Sequence, residues 1–236
     1  MSTSLLFAHP YVIAWRNRLR ESSVLRGLYS SIAGGSHYEA RFSRELLGAV
    51  RPGDSVWDVG ANVGIYAAQF ADRGAANVVC FEPAPEAVVA LQERFPHASG
   101  AASRVRIVPI ALADRRGTAM FSAKGTSPDN QIGVLGDTKP TVEVQVRSAD
   151  EALAEFSLPT PNVMKIDVEG YELEVIQGMT GVLSSSGLRS VFVEVHFSQL
   201  HKRKLDTAPG AIVQILRERG FQVHWADPSH ICARRS

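Results

Sequence analysis

The stretch SVWDVGANVG, residues 55–64, decides the fold class. An apolar run ends at Asp58, and Gly60 and Gly64 follow with Asn62 between them. A strand running into a glycine turn and then a helix opens a βα unit. In sheets built from such units, ligands sit outside the carboxyl ends of the strands. Working outward, the chain repeats the alternation. A helix is expected over 63–73, a second strand in NVVCFEP and a second helix in APEAVVALQERF. RVRIVPIAL reads as the third strand, while TAMFSA and TVEVQVRS read as extra strands flanking a polar loop at 124–140. NVMKIDVEG is the fourth core strand and feeds a helix over 170–184; RSVFVEVHF, a helix in APGAIVQILRERG, then FQVHWAD and HICARR complete the chain. Strands separated by helices imply right-handed crossovers. The expected fold is therefore α/β, a doubly wound and mostly parallel sheet covered on both faces.

Upstream, a helix is expected over 39–50, and before it a helical arm. Phe7, Tyr11, Trp15 and Leu19 recur every four residues and form one apolar stripe, interrupted early by Pro10. Arg16, Arg18 and Arg20 lie two apart, so they do not share a helix face, and packing of the stripe on the main domain is favoured over a membrane surface. The expected division is an arm over 1–36 and one domain over 37–236.

A chain of 236 residues supports one well-buried core. Apolar residues make up 45% and charged residues 21%, as in ordinary globular proteins, and the net charge of +1 gives no reason to expect nucleic acid as a partner. Cys80 and Cys232 have no Cys or His at ligand spacing, which argues against disulfides and zinc. With no signal-peptide pattern and no membrane-length run, the expected location is the cytoplasm.

The loop selects its ligand by charge and spacing. G-x-x-x-G is not the G-x-G-x-x-G of dinucleotide binders. Asp58 beside the helix start would repel a phosphate and attract a cationic amine. Twenty-two residues after Gly60, Glu82 ends the second strand, placed to accept hydrogen bonds from both hydroxyls of a ribose. Pro83 then stops the strand and shapes the loop. A ligand with a ribose and an amine but no phosphate satisfies both features, and S-adenosylmethionine is such a molecule.

VWDVGANVGIYA, FEPAPEA, IVPIALAD, MKIDVEGYELEVIQGM and VFVEVH, in that order over about residues 38–197, resemble the FkbM-type S-adenosylmethionine-dependent methyltransferases. KIDVEGYE is the most specific block. The resemblance implies a class I methyltransferase fold and methyl transfer to a hydroxyl oxygen. It places Asp58, Gly60, Asn62 and Gly64 around the methionine part of the cofactor, Glu82 on the ribose and Ala111 beside the adenine. Tyr38 and Glu39 match a family position that closes over the cofactor.

Strand alternation points to the reacting end. Lys165, Asp167 and Glu169 share parity, as do Phe192, Glu194 and His196, so each set shares a face if its strand persists. Parallel neighbours would set Lys165 beside Glu194, with Asp167 and His196 two residues nearer the ligand edge. For Lys165 and Glu194 a structural ion pair is favoured. His196 is a candidate general base supported by Asp167; Asp167 is alternatively the base itself, or a ligand for a divalent metal such as Mg²⁺. Glu169 is a further candidate, with helix-start capping as its plain alternative.

The expected function is S-adenosylmethionine-dependent O-methylation of a small-molecule, sugar or lipid-linked acceptor, with a homodimer among the possible states. The alternatives are an NAD-dependent oxidoreductase or epimerase, and a non-catalytic module of the same fold. The arm, the 124–140 loop and the basic segment 197–209 are the expected sources of acceptor specificity.

Overall fold

The computed structural model describes residues 35–96, 104–122, 131–132 and 141–235, with backbone alone at 35–39, 122 and 131–132. The expected arm stripe and most of the 124–140 loop lie outside the described residues. In chain order the elements are α1 (Gly35–Ala49), β1 (Ser55–Val59), α2 (Ile65–Asp72), β2 (Asn77–Phe81), α3 (Pro85–Arg94) and β3 (Val105–Val108). Then come β4 (Ala111–Ala113), β5 (Gly117–Ser122), β6 (Gln131–Ile132), β7 (Thr141–Ser148), α4 (Ala149–Glu155) and β8 (Val163–Ile166). The chain closes with α5 (Glu172–Gln177), α6 (Thr180–Ser184), β9 (Ser190–Glu194), α7 (Phe197–Lys202), α8 (Ala208–Glu218), β10 (Gln222–Trp225) and β11 (His230–Arg234).

Seven strands form the main sheet in the order β10-β11-β9-β8-β1-β2-β3. β1 runs parallel to both β2 and β8, while β10 and β11 are antiparallel. The order reverses between β1 and β8, so their carboxyl ends bracket the crevice where such sheets bind ligands. Alternation along β1 divides the core. Trp57 and Val59 pack with Val79, Phe81, Met164 and Ile166 on one face. Val56 packs with Phe42, Phe70, Val78, Val163 and Phe192 on the other. Among the described residues no helix is long and apolar enough to cross a membrane.

Two expectations are corrected. RVRIVPIAL is two strands: β3 ends at Val108, and β4 joins a second sheet ordered β4-β7-β5-β6. Pro109 has no N–H to continue the ladder, and the Ile110 amide turns back to the Val108 carbonyl at 2.9 Å. The extra strands therefore build a small sheet whose apolar face, with Phe121, Val144 and Val146, packs on Ala84 and Ala87. Residues 170–184 form the short helices α5 and α6. The start of the basic segment 197–209 is helix α7, which buries Phe197 and Leu200.

The close approach at the switch point depends on Gly60. At φ +78°, a Cβ there would lie 1.8 Å from the Asp167 carbonyl oxygen, a backbone atom that cannot swing away. Gly64, also at φ +78°, would meet the ends of the Leu91 and Phe95 side chains at 2.7 and 2.8 Å. Gly60→Ala should therefore lower the stability by about 2–4 kcal/mol, from overpacking plus left-handed strain. An unchanged urea midpoint would remove this constraint.

β11 is held by a buried histidine. His230 Nδ1 lies 2.8 Å from Asp227, Nε2 lies 3.4 Å from Glu194 on β9, and its ring lies against Phe42 of α1 with centroids 4.0 Å apart and planes tilted by 30°. Burial opposes its charge, but Asp227 and Glu194 prevail and raise its pKa to about 9. A raised histidine pKa contributes stability that is complete below the ordinary value and is lost as pH climbs through about 9. The shift corresponds to at most roughly 3 kcal/mol. The melting temperature should fall between neutral pH and pH ~10, and His230→Gln should flatten that decline; an identical slope in the variant would contradict the assignment.

Candidate active site

At the end of β1 the chain folds back, and the amides of Gly60 and Ala61 donate to the Phe81 carbonyl of β2 at 2.9 and 3.1 Å. This tie brings Asn62, at φ 47°, against Glu82. One Glu82 carboxylate oxygen accepts from the Asn62 amide at 2.8 Å and the other from the Ala84 amide at 2.9 Å. Burial lifts the Glu82 pKa above the usual carboxylate range, with the two amides opposing. Each oxygen retains a lone pair, so a fixed carboxylate faces the ligand crevice.

The crevice is a cavity of about 300 Å³ along the carboxyl ends of β1, β2, β8 and β9, at the small end of the range for ligand pockets. Its apolar part is lined by Phe81, Pro83, Ile110, Ala111, Leu112 and Phe121, so β4 and the small sheet supply one wall. Asn62 and Glu82 line it at the β1–β2 side, and Asp167, Glu169, Glu194 and His196 at the β8–β9 side. Tyr171 also borders it, with the Arg203 guanidinium 3.7 Å over its ring.

Asp58, Gly64 and Lys165 are not on the cavity wall. Asp58 is fully buried on the α1–α2 face of the sheet, in register with Lys165 on β8. Lys165 Nζ lies 3.5 Å from Asp58 and 3.0 Å from Asp167. Burial disfavours its charge, but Asp167 and Asp58 outweigh that and hold the ammonium protonated. Asp58 is pushed upward by burial, with Lys165 opposing. Glu39 lies in α1, where only the backbone is described.

The expected juxtaposition of Lys165 with Glu194 is corrected, because Lys165 is in register with Phe192. The Asn162 carbonyl accepts the amides of Arg189 and Ser190 at 2.8 and 3.3 Å, which pins the start of β9 opposite Val163. The expected face of Lys165, Asp167 and Glu169 is also not one strand. β8 ends at Ile166, and Glu169 and Gly170 adopt φ values of 50° and 96°. The loop, rather than strand alternation, brings Asp167 and Glu169 to His196.

His196 precedes α7 and stands among carboxylates. Nδ1 lies 2.7 Å from Glu172 Oε1; Nε2 lies 3.2 Å from Glu169, 3.6 Å from Asp167 and 3.9 Å from Glu194. Burial opposes its charge, but hydrogen bonds to Glu169 and Glu172, with the charges of Glu172 and Asp167, raise its pKa well above the ordinary value. Glu169 is raised by burial, with His196 opposing. Glu194 is drawn down to about 2: burial opposes this, and His230, His196 and Lys165 prevail.

Sequence reasoning missed Glu172, Asp227 and His230. The motif KIDVEGYE contains Glu172, but its burial beneath His196 depends on where α7 starts. His230 and Asp227 lie in the last strand pair, where no motif marks them.

Comparison with known proteins bears on the family and the fold. A family model described as the methyltransferase FkbM domain matches residues 58–223. The chain is 35% identical over 157 residues to the hexuronic acid methyltransferase AglP of Haloferax volcanii, an alignment covering 65% of this chain and 60% of that protein. It is 29% identical over 208 residues to the 31-O-demethyl-FK506 methyltransferase FkbM of Streptomyces tacrolimicus, covering 74% and 75%. With the 2-O-methyltransferase NoeI of Sinorhizobium fredii it shares 25% identity over 172 residues, covering 66% and 68%. Among solved structures, methyltransferase FkbM from Methylobacillus flagellatus superposes with a TM-score of 0.51 at 18% identity, over 76% of this chain and 42% of that one. At that identity the likeness shows the fold. The matched family segment begins at Asp58 and includes Glu82, Asp167, Glu169 and His196, and the chain belongs to the FkbM family of methyltransferases.

Proposed function

We propose that this chain transfers a methyl group from S-adenosylmethionine to a hydroxyl oxygen of a small polyhydroxy acceptor, with sugars and uronic acids as the first class to test. One observation carries the reading: a single cavity joins Glu82, fixed by two amides, to an acidic end built around His196. In the order β2-β1-β8-β9 those ends are three strand spacings apart, about 14 Å, room for a nucleoside followed by an acceptor group.

The residues present fit the cofactor. Glu82 offers two acceptor oxygens to the ribose hydroxyls. Among the described residues, buried Asn62 Oδ1 has no partner, and Asn62 lines the cavity. Ile110, Ala111, Leu112 and Phe121 supply an apolar slot for adenine. When bound, the cofactor supplies a sulfonium methyl. The acceptor oxygen forms the new O–CH₃ bond as the S–CH₃ bond breaks, and the acceptor proton must go to the protein. Glu169, lifted by burial toward the range useful for a base, takes it, while His196, whose carboxylate neighbours favour its protonated form, stands 3.2 Å away as the counter-charge. The names of AglP, a hexuronic acid methyltransferase, and NoeI, a 2-O-methyltransferase, support the acceptor class.

Calorimetric titration should show saturable binding of S-adenosylhomocysteine and none of NAD; binding of NAD alone would overturn the donor assignment. Glu82→Gln should weaken S-adenosylhomocysteine roughly 10-fold or more, the scale of hydrogen bonds to a charged group.

His196→Ala should leave that affinity within about twofold while lowering turnover by about 100-fold. Turnover is read by mass spectrometry on glucuronate, galacturonate and methyl glucoside. The product should be an alkali-stable methyl ether; donor binding without methylation of any of these would refute the acceptor class.

A further inference from the structure

The acidic end has an internal geometry that a proton acceptor does not require. Asp167 and Glu169 come from the loop after β8, and His196 from the residue before α7. One carboxylate oxygen of each acid and His196 Nε2 nevertheless lie within 4.8 Å of one another. Nε2 is 3.2 Å from Glu169 Oε1 and 3.6 Å from Asp167 Oδ1. Two ligand atoms at right angles around an ion, each about 2.1 Å from it, are separated by about 3 Å. The two spacings from Nε2 are somewhat longer than that edge, and the third lies within the same 4.8 Å.

The outer contacts orient the same three atoms. Glu172 is fully buried, and its Oε1 holds His196 Nδ1 at 2.7 Å, so Nε2 is the nitrogen turned to the acids. A carboxylate behind the imidazole is the support that metal-bound histidines carry. Glu172 Oε1 is itself fixed by the Gly170 amide at 2.9 Å. Lys165 takes the outer oxygen of Asp167 at 3.0 Å, which leaves Oδ1 toward His196. All three residues line the cavity, so the remaining sides of such a site open onto it.

We propose that Asp167, Glu169 and His196 form a seat for a divalent cation, Mg²⁺ or Mn²⁺, whose open positions face the cavity and hold two neighbouring oxygens of the acceptor. Two carboxylates with one imidazole suit Mn²⁺ and, with water completing the shell, Mg²⁺. The part concerning the acceptor rests on the methyl-transfer reading; the cation seat stands on geometry alone. In a second grouping, Glu45, His224 and Cys232, Arg234 lies 3.4 Å from the same Glu45 oxygen that faces His224, whereas Lys165 takes only the Asp167 oxygen turned away from His196.

The test uses the full chain and Mn²⁺ alone as probe, followed by electron paramagnetic resonance and calorimetry. One saturable site should appear, with Mg²⁺ competing for it. Asp167→Asn and Glu169→Gln should each weaken Mn²⁺ at least tenfold, and Glu172→Gln, which only supports His196, roughly tenfold. His224→Ala should leave Mn²⁺ binding unchanged. Each variant is checked by thermal melting and by S-adenosylhomocysteine binding, so that misfolding is not read as loss of the seat. Absence of saturable Mn²⁺ binding, indifference to the Asp167 and Glu169 substitutions, or loss of binding in His224→Ala would overturn the proposal. Intact S-adenosylhomocysteine binding in that case leaves methyl transfer standing, whereas failure of donor binding strikes the earlier reading instead.

Discussion

A buried ammonium between two carboxylates sets the middle of the sheet. Lys165 on β8 reaches Asp58 on β1 and Asp167 just beyond β8, with almost no solvent contact at either Asp58 or Lys165. Such a group is a poor source of net stability, because desolvation offsets the attraction. Its effect is on arrangement. Removing one member strands a charge in the core, typically at a cost of about 3–5 kcal/mol, so the two central strand ends must stay together. Gly60 allows the same approach sterically, over the Asp167 carbonyl. The cavity opens beside this junction, and Asp167 belongs to both.

Charge accumulates outward from there. Asp167 contacts both Lys165 and His196; His196 contacts Glu169, Glu172 and Glu194; Glu194 contacts His230, which rests on Asp227. Six carboxyl groups, counting Asp58, are served by three cationic side chains. An end with surplus negative charge is suited to a positively charged donor or to a metal ion, and unsuited to a phosphate. That electrostatic character extends the argument first made for Asp58, whose own side chain is turned away from the cavity wall. The carboxylates that line the cavity there are Asp167, Glu169 and Glu194 rather than Asp58.

Much of the fold was legible because apolar periodicity and glycine punctuation mark βα units directly. The first two units were readable to within a few residues, and with them Asn62, Glu82 and Pro83 on the cavity wall. Pro109 was the visible sign that RVRIVPIAL must break, although not that its second half would join another sheet. Lys165 and Glu194 were misaligned by two residues, since parity identifies a strand's face but not its register against a neighbour. Glu169 reached His196 through a left-handed loop that no alternation rule describes.

The sequence by itself determined the sheet class, the glycine turn after β1, the carboxylate at the end of β2 and the family, all of which depend on residues close together in the chain. Only the tertiary structure decided which acidic groups surround His196. Glu172, Asp167, Glu194 and His230 meet there because β8, β9 and β11 are neighbours and because Asn162 pins one of them in register. Those contacts span tens of residues, and their geometry follows from strand pairing and helix placement that local patterns do not encode.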